Sequence, residues 1–309
     1  MKISFVIPCY RSEKTIVGVV SELQKVLSER VGVDYEIVMV SDHSPDTVYS
    51  VIEKLCEMDP NRVKGFELAR NFGQHAALMA GYAHVNGDLV FSLDDDGQAP
   101  VDYIWAMVDG LMDGGYDAVY GAYSEKRHSW FRNLGSCVND RMAEWLLGKP
   151  KSLKISSFFV AKRFVIDEML NYCGPFPYLY GLLFRVTRNL GNVEVKHRDR
   201  AGGSSGYTFS KLLGLWINGF TAFSVKPLRL ASFVGTACAA LGFFYGVWIV
   251  INKLTNPAAP LGYSSLMAAI LFIGGMVMLI LGLIGEYVGR IYICINQSPQ
   301  YVVSKQTSK

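Results

Sequence analysis

Two stretches near the C-terminal end decide what this chain can fold into: residues 230–251 and 266–285 contain no charged side chain. Each is about 20 residues long, enough at about 1.5 Å per residue to cross the roughly 30 Å hydrocarbon core of a bilayer. Two transmembrane helices are therefore expected. The residues ahead of them carry charge throughout and hold no comparable run, which excludes both a polytopic transporter and a disordered chain. Half of the 309 residues are hydrophobic and only 18% are charged, and this apolar excess is concentrated in the two runs. Lys226 and Arg229 precede the first run, Arg290 follows the second with Lys305 and Lys309 behind it, and residues 252–265 hold only Lys253. By the positive-inside rule both termini face the cytoplasm and the connection faces outward. The expected result is a multi-pass protein of the cytoplasmic membrane.

The formal charge is +3 with no dense Lys/Arg block, so no nucleic acid partner is expected. Six cysteines lie scattered without a CxxC pair, which suggests neither a zinc site nor a disulfide framework and fits a reducing compartment. The opening run ends at Pro8. It is too short for a signal-peptide core and reads as a strand, leaving the soluble part on the cytoplasmic side.

Within the first 121 residues, short β-branched runs alternate with helical patterns. Strands are expected at 3–9, 35–41, 63–68, 88–93 and 117–120, and helices at 13–29, 46–58, 74–85 and 101–112. That alternation specifies an α/β fold, a Rossmann-like, mostly parallel sheet covered on both faces. Ligands of such sheets bind at the carboxyl ends of the strands. Further on, the sequence suggests a helix at 130–147, an apolar run at 155–161, a strand at 193–197, a glycine- and serine-rich loop at 202–207, and an amphipathic interfacial helix at 209–223. The expected organisation is a catalytic domain at 1–207, an interfacial helix at 208–227, the two-helix transmembrane hairpin at 228–292 and a cytoplasmic tail at 293–309.

Three polar turns follow strand ends: Pro8-Cys9-Tyr10, Asp42-His43-Ser44 and Asp94-Asp95-Asp96. Three adjacent carboxylates repel one another unless a cation is present, and hard oxygen ligands suit Mg²⁺ or Mn²⁺ with a diphosphate supplying further oxygens. The same residues are compatible with a solvated acidic turn at a helix start; the strand context and the two other turns favour the metal-diphosphate reading. Asp42 could accept hydrogen bonds from a base or ribose, or act as a helix cap. His43 and His75 lack metal-ligand spacing and are treated as incidental.

Val6-Ile7-Pro8-Cys9-Tyr10, Val40-Ser41-Asp42 with Ser44 and Asp46, Arg70-Asn71-Phe72-Gly73-Gln74, and Leu93-Asp94-Asp95-Asp96-Gly97-Gln98 resemble the signature turns of family 2 glycosyltransferases of the GT-A fold. The chain is most similar to their polyprenyl-phosphate subgroup, which includes bactoprenol glucosyltransferases, dolichyl-phosphate mannose synthases and undecaprenyl-phosphate aminoarabinose transferases. Arg200, Gly203, Ser205 and Tyr207 match the subgroup's R-x-x-G-x-S-x-Y loop, and residues 282–292 match its C-terminal signature. The resemblance implies that Pro8, Tyr10, Asp42, Asp94 and Asp95 line the nucleotide-sugar pocket. It also implies that Asp94 and Asp96 hold the metal, and that Asp96 and Arg200 are catalytic. Ser205 and Tyr207 would meet the diphosphate or the acceptor phosphate, as suits charge-assisted donors near phosphate oxygens. Lys126, Arg127 and Arg132 are candidate partners of the acceptor phosphate, or simply solvated cations. Relatives suggest a homo-oligomer.

Two departures stand out. Gly97 replaces a leucine common in relatives, and in Lys154-Ile155-Ser156-Ser157-Phe158-Phe159 relatives commonly have Asp where this chain has Lys154 and Arg where it has Phe159. No catalytic base is carried over. The expected activity is inverting, metal-dependent transfer from a nucleotide sugar, a UDP-sugar by preference, to a polyprenyl phosphate. The alternatives are transfer to a hydroxyl of a lipid-linked glycan and a weakly catalytic sugar-nucleotide-binding subunit serving a partner. Lys154 could contact the acceptor or belong to a solvent-facing turn with Lys149 and Lys151. The topology makes its own prediction: a cysteine introduced between residues 256 and 261 should react with an impermeant thiol reagent in intact cells, and reaction only after permeabilisation would overturn the orientation.

Overall fold

A computed structural model describes residues 1–123, 144, 149–196, 226–255, 262–296 and 298–307. The β-branched runs form β1 (Lys2–Cys9), β2 (Asp34–Ser41), β3 (Val63–Leu68), β4 (Leu89–Ser92) and β5 (Ala118–Tyr123), followed by β6 (Phe159–Lys162), β7 (Leu190–Val195) and β8 (Val303–Gln306). Between them lie α1 (Ile16–Ser28), α2 (Val48–Met58), α3 (Gln74–Tyr82), a 3-10 turn (Val101–Tyr103) leading into α4 (Ile104–Asp113), α5 (Arg163–Leu170) and α6 (Leu179–Val186). Two long helices, α7 (Lys226–Thr255) and α8 (Tyr263–Ile295), make up the apolar segment. The helices expected at 130–147 and 209–223 lie outside the described residues, except for helical Glu144.

The sheet runs β7-β5-β6-β4-β1-β2-β3-β8. β1 pairs in parallel with both β2 and β4, and β2 with β3, giving the expected parallel core. β6 runs antiparallel between β4 and β5. The chain proceeds outward from β1 through β2 to β3, then returns to place β4 on the other side of β1. That reversal makes the carboxyl ends of β1 and β4 a topological switch point, where ligands of such sheets bind.

Alternation divides the buried residues between two layers. Ile3, Phe5, Ile7, Ile37, Met39 and Phe91 join α1, α2 and α4 in one core, with Phe5 stacked on Phe91 at 5.1 Å between ring centroids. On the other side α3 packs against β1 and β2. Gly81 permits this approach, since a Cβ there would lie 2.3 Å from Val6 Cγ1. Pro8 is buried in a central strand, yet β4 pairs with β1 only as far as Val6, so its missing N–H breaks no bond on that side.

The last strand was not legible as one. β8 pairs antiparallel with the edge strand β3, Lys305 Nζ meets Glu67 Oε2 at 2.7 Å, and Gly65 N–H donates to Thr307 Oγ1 at 2.8 Å. Contacts divide the chain into one unit of residues 1–209 and 297–309 and another of residues 210–296. The tail thus belongs to the same folded unit as the N-terminal sheet. Two windows, Ala231–Trp248 and Phe272–Ile295, are long and apolar enough to cross a membrane. The charges near the end of the second are paired within α8, Arg290 Nη2 meeting Glu286 Oε1 at 2.8 Å.

At the end of the sheet opposite the switch point, Glu36 is buried and accepts from Lys64 Nζ at 2.7 Å and Ser4 Oγ at 2.7 Å. Burial works against its charge, but these bonds and that of the Asn86 amide prevail and bring its pKa from 4.5 down to about 2. A depressed acid contributes stability that is complete above its unfolded pKa and is lost as pH falls through the folded one. Glu36→Gln should therefore lower stability near neutral pH by about 1–3 kcal/mol and flatten the acid limb between about pH 4.5 and 2, as read by thermal unfolding of the full chain in detergent.

Candidate active site

Three turns leave the carboxyl ends of β1, β2 and β4 and are tied to one another by side-chain hydrogen bonds to backbone. In the first two, Arg11 N–H donates to Ser44 Oγ at 2.8 Å and Glu13 N–H to Asp46 Oδ2 at 3.1 Å. In return, Glu13 Oε2 accepts from the amide and hydroxyl of Thr47 at 3.1 and 2.7 Å. Arg11 (φ 58°) and His43 (φ 48°) each sit two residues past their strands in the left-handed region. That region is costly for a side chain and persists where surrounding bonds impose it.

The acidic turn disperses its charges. Asp94 Oδ1 accepts from Gln74 Nε2 at 2.8 Å, and its Oδ2 accepts from the Ser157 hydroxyl. Asp95 turns the other way: its Oδ2 accepts the Tyr10 N–H at 2.9 Å and its carbonyl accepts Thr15 Oγ1 at 2.7 Å. Asp96 Oδ1 accepts the Gln98 N–H at 3.0 Å, and Gly97 between them has φ +75°, a conformation that the leucine of relatives would adopt only with strain. Burial, reinforced by the flanking Asp94 and Asp96 carboxylates, pushes the Asp95 carboxyl up to about 6 against the Tyr10 amide bond. Among the described residues no three His, Cys, Asp or Glu side chains converge as a ready metal cage. The donor chemistry nevertheless fits a hard divalent cation held by Asp94 and Asp96, with diphosphate oxygens and water completing its shell.

Asp42 is buried beneath these turns. Its Oδ1 accepts from Phe72 N–H at 2.7 Å and its Oδ2 from Gly73 N–H at 2.8 Å, while its carbonyl accepts from Asn71 Nδ2 at 3.3 Å. Both oxygens thus clamp the loop that starts α3, where Gly73 has φ +92°. Burial raises the Asp42 pKa, and the two amides lower it. Tyr10 is 44% exposed, with the Arg11 guanidinium 5.5 Å from its ring centroid. The structure therefore brings Tyr10, Asp42, Asp94, Asp95 and Asp96 to one sheet edge, with Pro8 buried behind them. Lys126, Arg127, Arg132, Arg200, Gly203, Ser205 and Tyr207 lie outside the described residues.

Lys154 and Lys151 are exposed, but Lys149 is buried and donates to the Leu153 carbonyl at 2.9 Å, so the three do not form one solvent-facing turn. Asn192 holds Lys154 by both backbone groups, at 2.8 and 2.7 Å. Phe159 is buried in β6 against Tyr120, 5.4 Å between centroids, which leaves that position to the core. His75 is packed edge-on against Tyr178 and Tyr180 at 5.7 and 5.8 Å, and burial lowers its pKa to about 4. Sequence reasoning missed the contacts of Gln74 and Ser157 with Asp94. Gln74 closes a motif that was noticed, but nothing in one sequence pairs Ser157 with a carboxylate 63 positions away.

Residues 4–170 match the family described as Glycosyl transferase family 2, and residues 226–291 match the GtrB C-terminal hairpin. The undecaprenyl-phosphate 4-deoxy-4-formamido-L-arabinose transferase of Enterobacter sp. (strain 638) is 32% identical over 100% of this chain and 94% of its own length. The SfII prophage-derived bactoprenol glucosyl transferase of Shigella flexneri is 32% identical over 99% of this chain and 98% of its own. Among solved structures, mannosyl-3-phosphoglycerate synthase from Rubrobacter xylanophilus is similar with a TM-score of 0.49 at 16% identity, covering 74% of this chain and 75% of that one.

The Asp42 clamp is testable by itself. Asp42→Asn presents an amide nitrogen where an oxygen met a backbone N–H, leaving a buried donor without its acceptor. The expected cost is about 1–3 kcal/mol, with faster hydrogen exchange at Phe72 and Gly73; unchanged exchange at both amides would show that the clamp contributes nothing.

Proposed function

The chain belongs to glycosyl transferase family 2 and is a glycosyltransferase, and on that premise we propose that it moves a sugar from a nucleotide sugar to a polyprenyl phosphate at the cytoplasmic membrane face. The observation that carries this reading is that relatives named for undecaprenyl phosphate and bactoprenol align along essentially the entire chain, hairpin included. The donor is proposed to be a UDP-sugar.

The reaction proposed is direct displacement with inversion. An oxygen of the acceptor phosphate attacks the anomeric carbon, and the bond from that carbon to the nucleotide diphosphate breaks with its electron pair leaving on the diphosphate. A divalent cation, when bound, neutralises charge on that leaving group. Asp94 and Asp96 would hold it, while Tyr10, Asp42 and Asp95 shape the donor turns behind. Arg200, Ser205 and Tyr207 are proposed as donors to phosphate oxygens. Lys126, Arg127 and Arg132 are proposed to meet the acceptor phosphate.

A phosphate monoester, with a second pKa of about 6, is largely dianionic at neutral pH and attacks without a base. A hydroxyl acceptor would need one. Lys154, exposed and three residues ahead of Ser157, adds a positive charge where relatives carry a carboxylate, which supports a phosphate acceptor. The tail strand supports the anchoring reading: a folded unit that includes chain on both sides of a spanning pair requires both flanks of the pair on one side of the membrane.

Membranes containing the protein, incubated with a panel of labelled nucleotide sugars, should transfer one label into organic solvent as a product cleaved by mild acid. A product stable to mild acid, with sugar linked to sugar, would favour the hydroxyl acceptor instead. Asp96→Asn should lower the rate by about 10² or more, and full activity in excess EDTA would remove the cation from the mechanism.

A further inference from the structure

The acidic turn is usable only if its carboxylates keep their orientations, and Asp94 is oriented by two side chains to which no role has been given. Gln74, the first residue of α3, donates Nε2–H to Oδ1 at 2.8 Å. Ser157, two residues before β6, donates its hydroxyl to Oδ2. The two donors reach Asp94 from different elements, one from the helix that packs on β1 and β2 and one from the segment leading into the strand beside β4.

Both donors are themselves fixed. Gln74 begins a helix whose entry loop is clamped through Phe72 and Gly73 by buried Asp42. The segment containing Ser157 is held upstream, where Asn192 of β7 grips the Lys154 backbone by both its N–H and its C=O. Downstream, Phe158 is fully buried and Phe159 enters the β6 ladder opposite Ser92. Both donors are also neutral. A lysine or arginine in either place would orient Asp94 equally well but would cancel its charge and compete with a cation, whereas an amide and a hydroxyl hold the carboxylate and leave it anionic.

We propose that Gln74 and Ser157 are positioning residues for the divalent cation, holding the two oxygens of Asp94 in the orientation at which Asp94 and Asp96 bind the metal. The inference rests on the cation reading above and adds the side chains that prepare its ligand. Removing either donor lets the carboxylate rotate, so part of the binding free energy is spent on re-ordering it. Partners of this kind affect metal affinity by about ten- to a hundredfold.

The test is binding of Mn²⁺ alone to the full-length detergent-solubilised protein, followed by loss of the free-ion EPR signal, with thermal unfolding measured on every sample. Gln74→Met and Ser157→Ala should each weaken Mn²⁺ binding about tenfold or more, at temperatures where both remain folded. Ser157→Thr, which keeps the hydroxyl, should bind as the native chain does. Because Gln74 is exposed at a helix start, Gln74→Met provides the readout even if a change at Ser157 impairs folding. Native affinity in Gln74→Met and Ser157→Ala, with binding lost in Asp96→Asn, would overturn the positioning role and leave the cation site standing. Native affinity in Asp96→Asn would overturn both.

Discussion

Like charges held on consecutive residues are the constraint around which the catalytic half is arranged. Asp94, Asp95 and Asp96 follow one another at the end of a buried strand, and the structure separates them by giving each a different direction and partner: Gln74 and Ser157, the Tyr10 amide, and the Gln98 amide. Each partner in turn fixes a neighbouring element. The Tyr10 bond ties the first turn to the third, Gln74 ties the start of α3, and Ser157 ties the approach to β6. The site is thereby assembled from segments 20 to 85 residues apart in sequence, held by neutral donors that leave the negative charge in place.

A second requirement is that these turns stand on something that does not yield. β1 and β4, which carry two of them, are central strands in parallel register, covered on both faces, and the left-handed residues Arg11 and His43 persist because the latch among Ser44, Asp46, Glu13 and Thr47 imposes their conformation. Buried Glu36 of β2, paired with Lys64 of β3 and bonded by Ser4 of β1, lies at the opposite end of the same sheet, so one end of the sheet is closed by a satisfied ion pair while the other presents charge for a ligand.

What the sequence revealed depended on whether the signal was local. The alternation of β-branched and helical runs, the acidic turn and the uncharged runs all lie within short windows, and they were legible as strands, turn and long apolar helices. β6 was noticed as an apolar run but not as an antiparallel strand, because pairing direction is decided by partners that periodicity does not name. α5 and α6 were missed although Gly174-Pro175 and Pro177 punctuate the chain between them, because each is only 8 residues long, too short a window for helical periodicity to stand out. β8 was missed because its four residues contain Ser304, Lys305 and Gln306, a polar composition that suits an exposed edge rather than a core strand. Asp42 illustrates the same limit within the site, since its carboxylate type was readable while its use in clamping Phe72 and Gly73 was not.

The tail strand also governs how the molecule can be made. Thr307 bonds Gly65 across 242 positions, and everything between them, both apolar helices included, must leave the ribosome before β8 can reach β3. During that interval β3 is an open edge, and exposed edges invite pairing with other chains. Completion of the sheet therefore reports, within the protein itself, that the hairpin has been synthesised, and on the proposed spanning topology it also requires the far end of the hairpin to return to the side from which it set out. On that topology, a hairpin that left its second end on the other side would strand the tail there and leave the β3 edge uncapped and open to pairing with other chains.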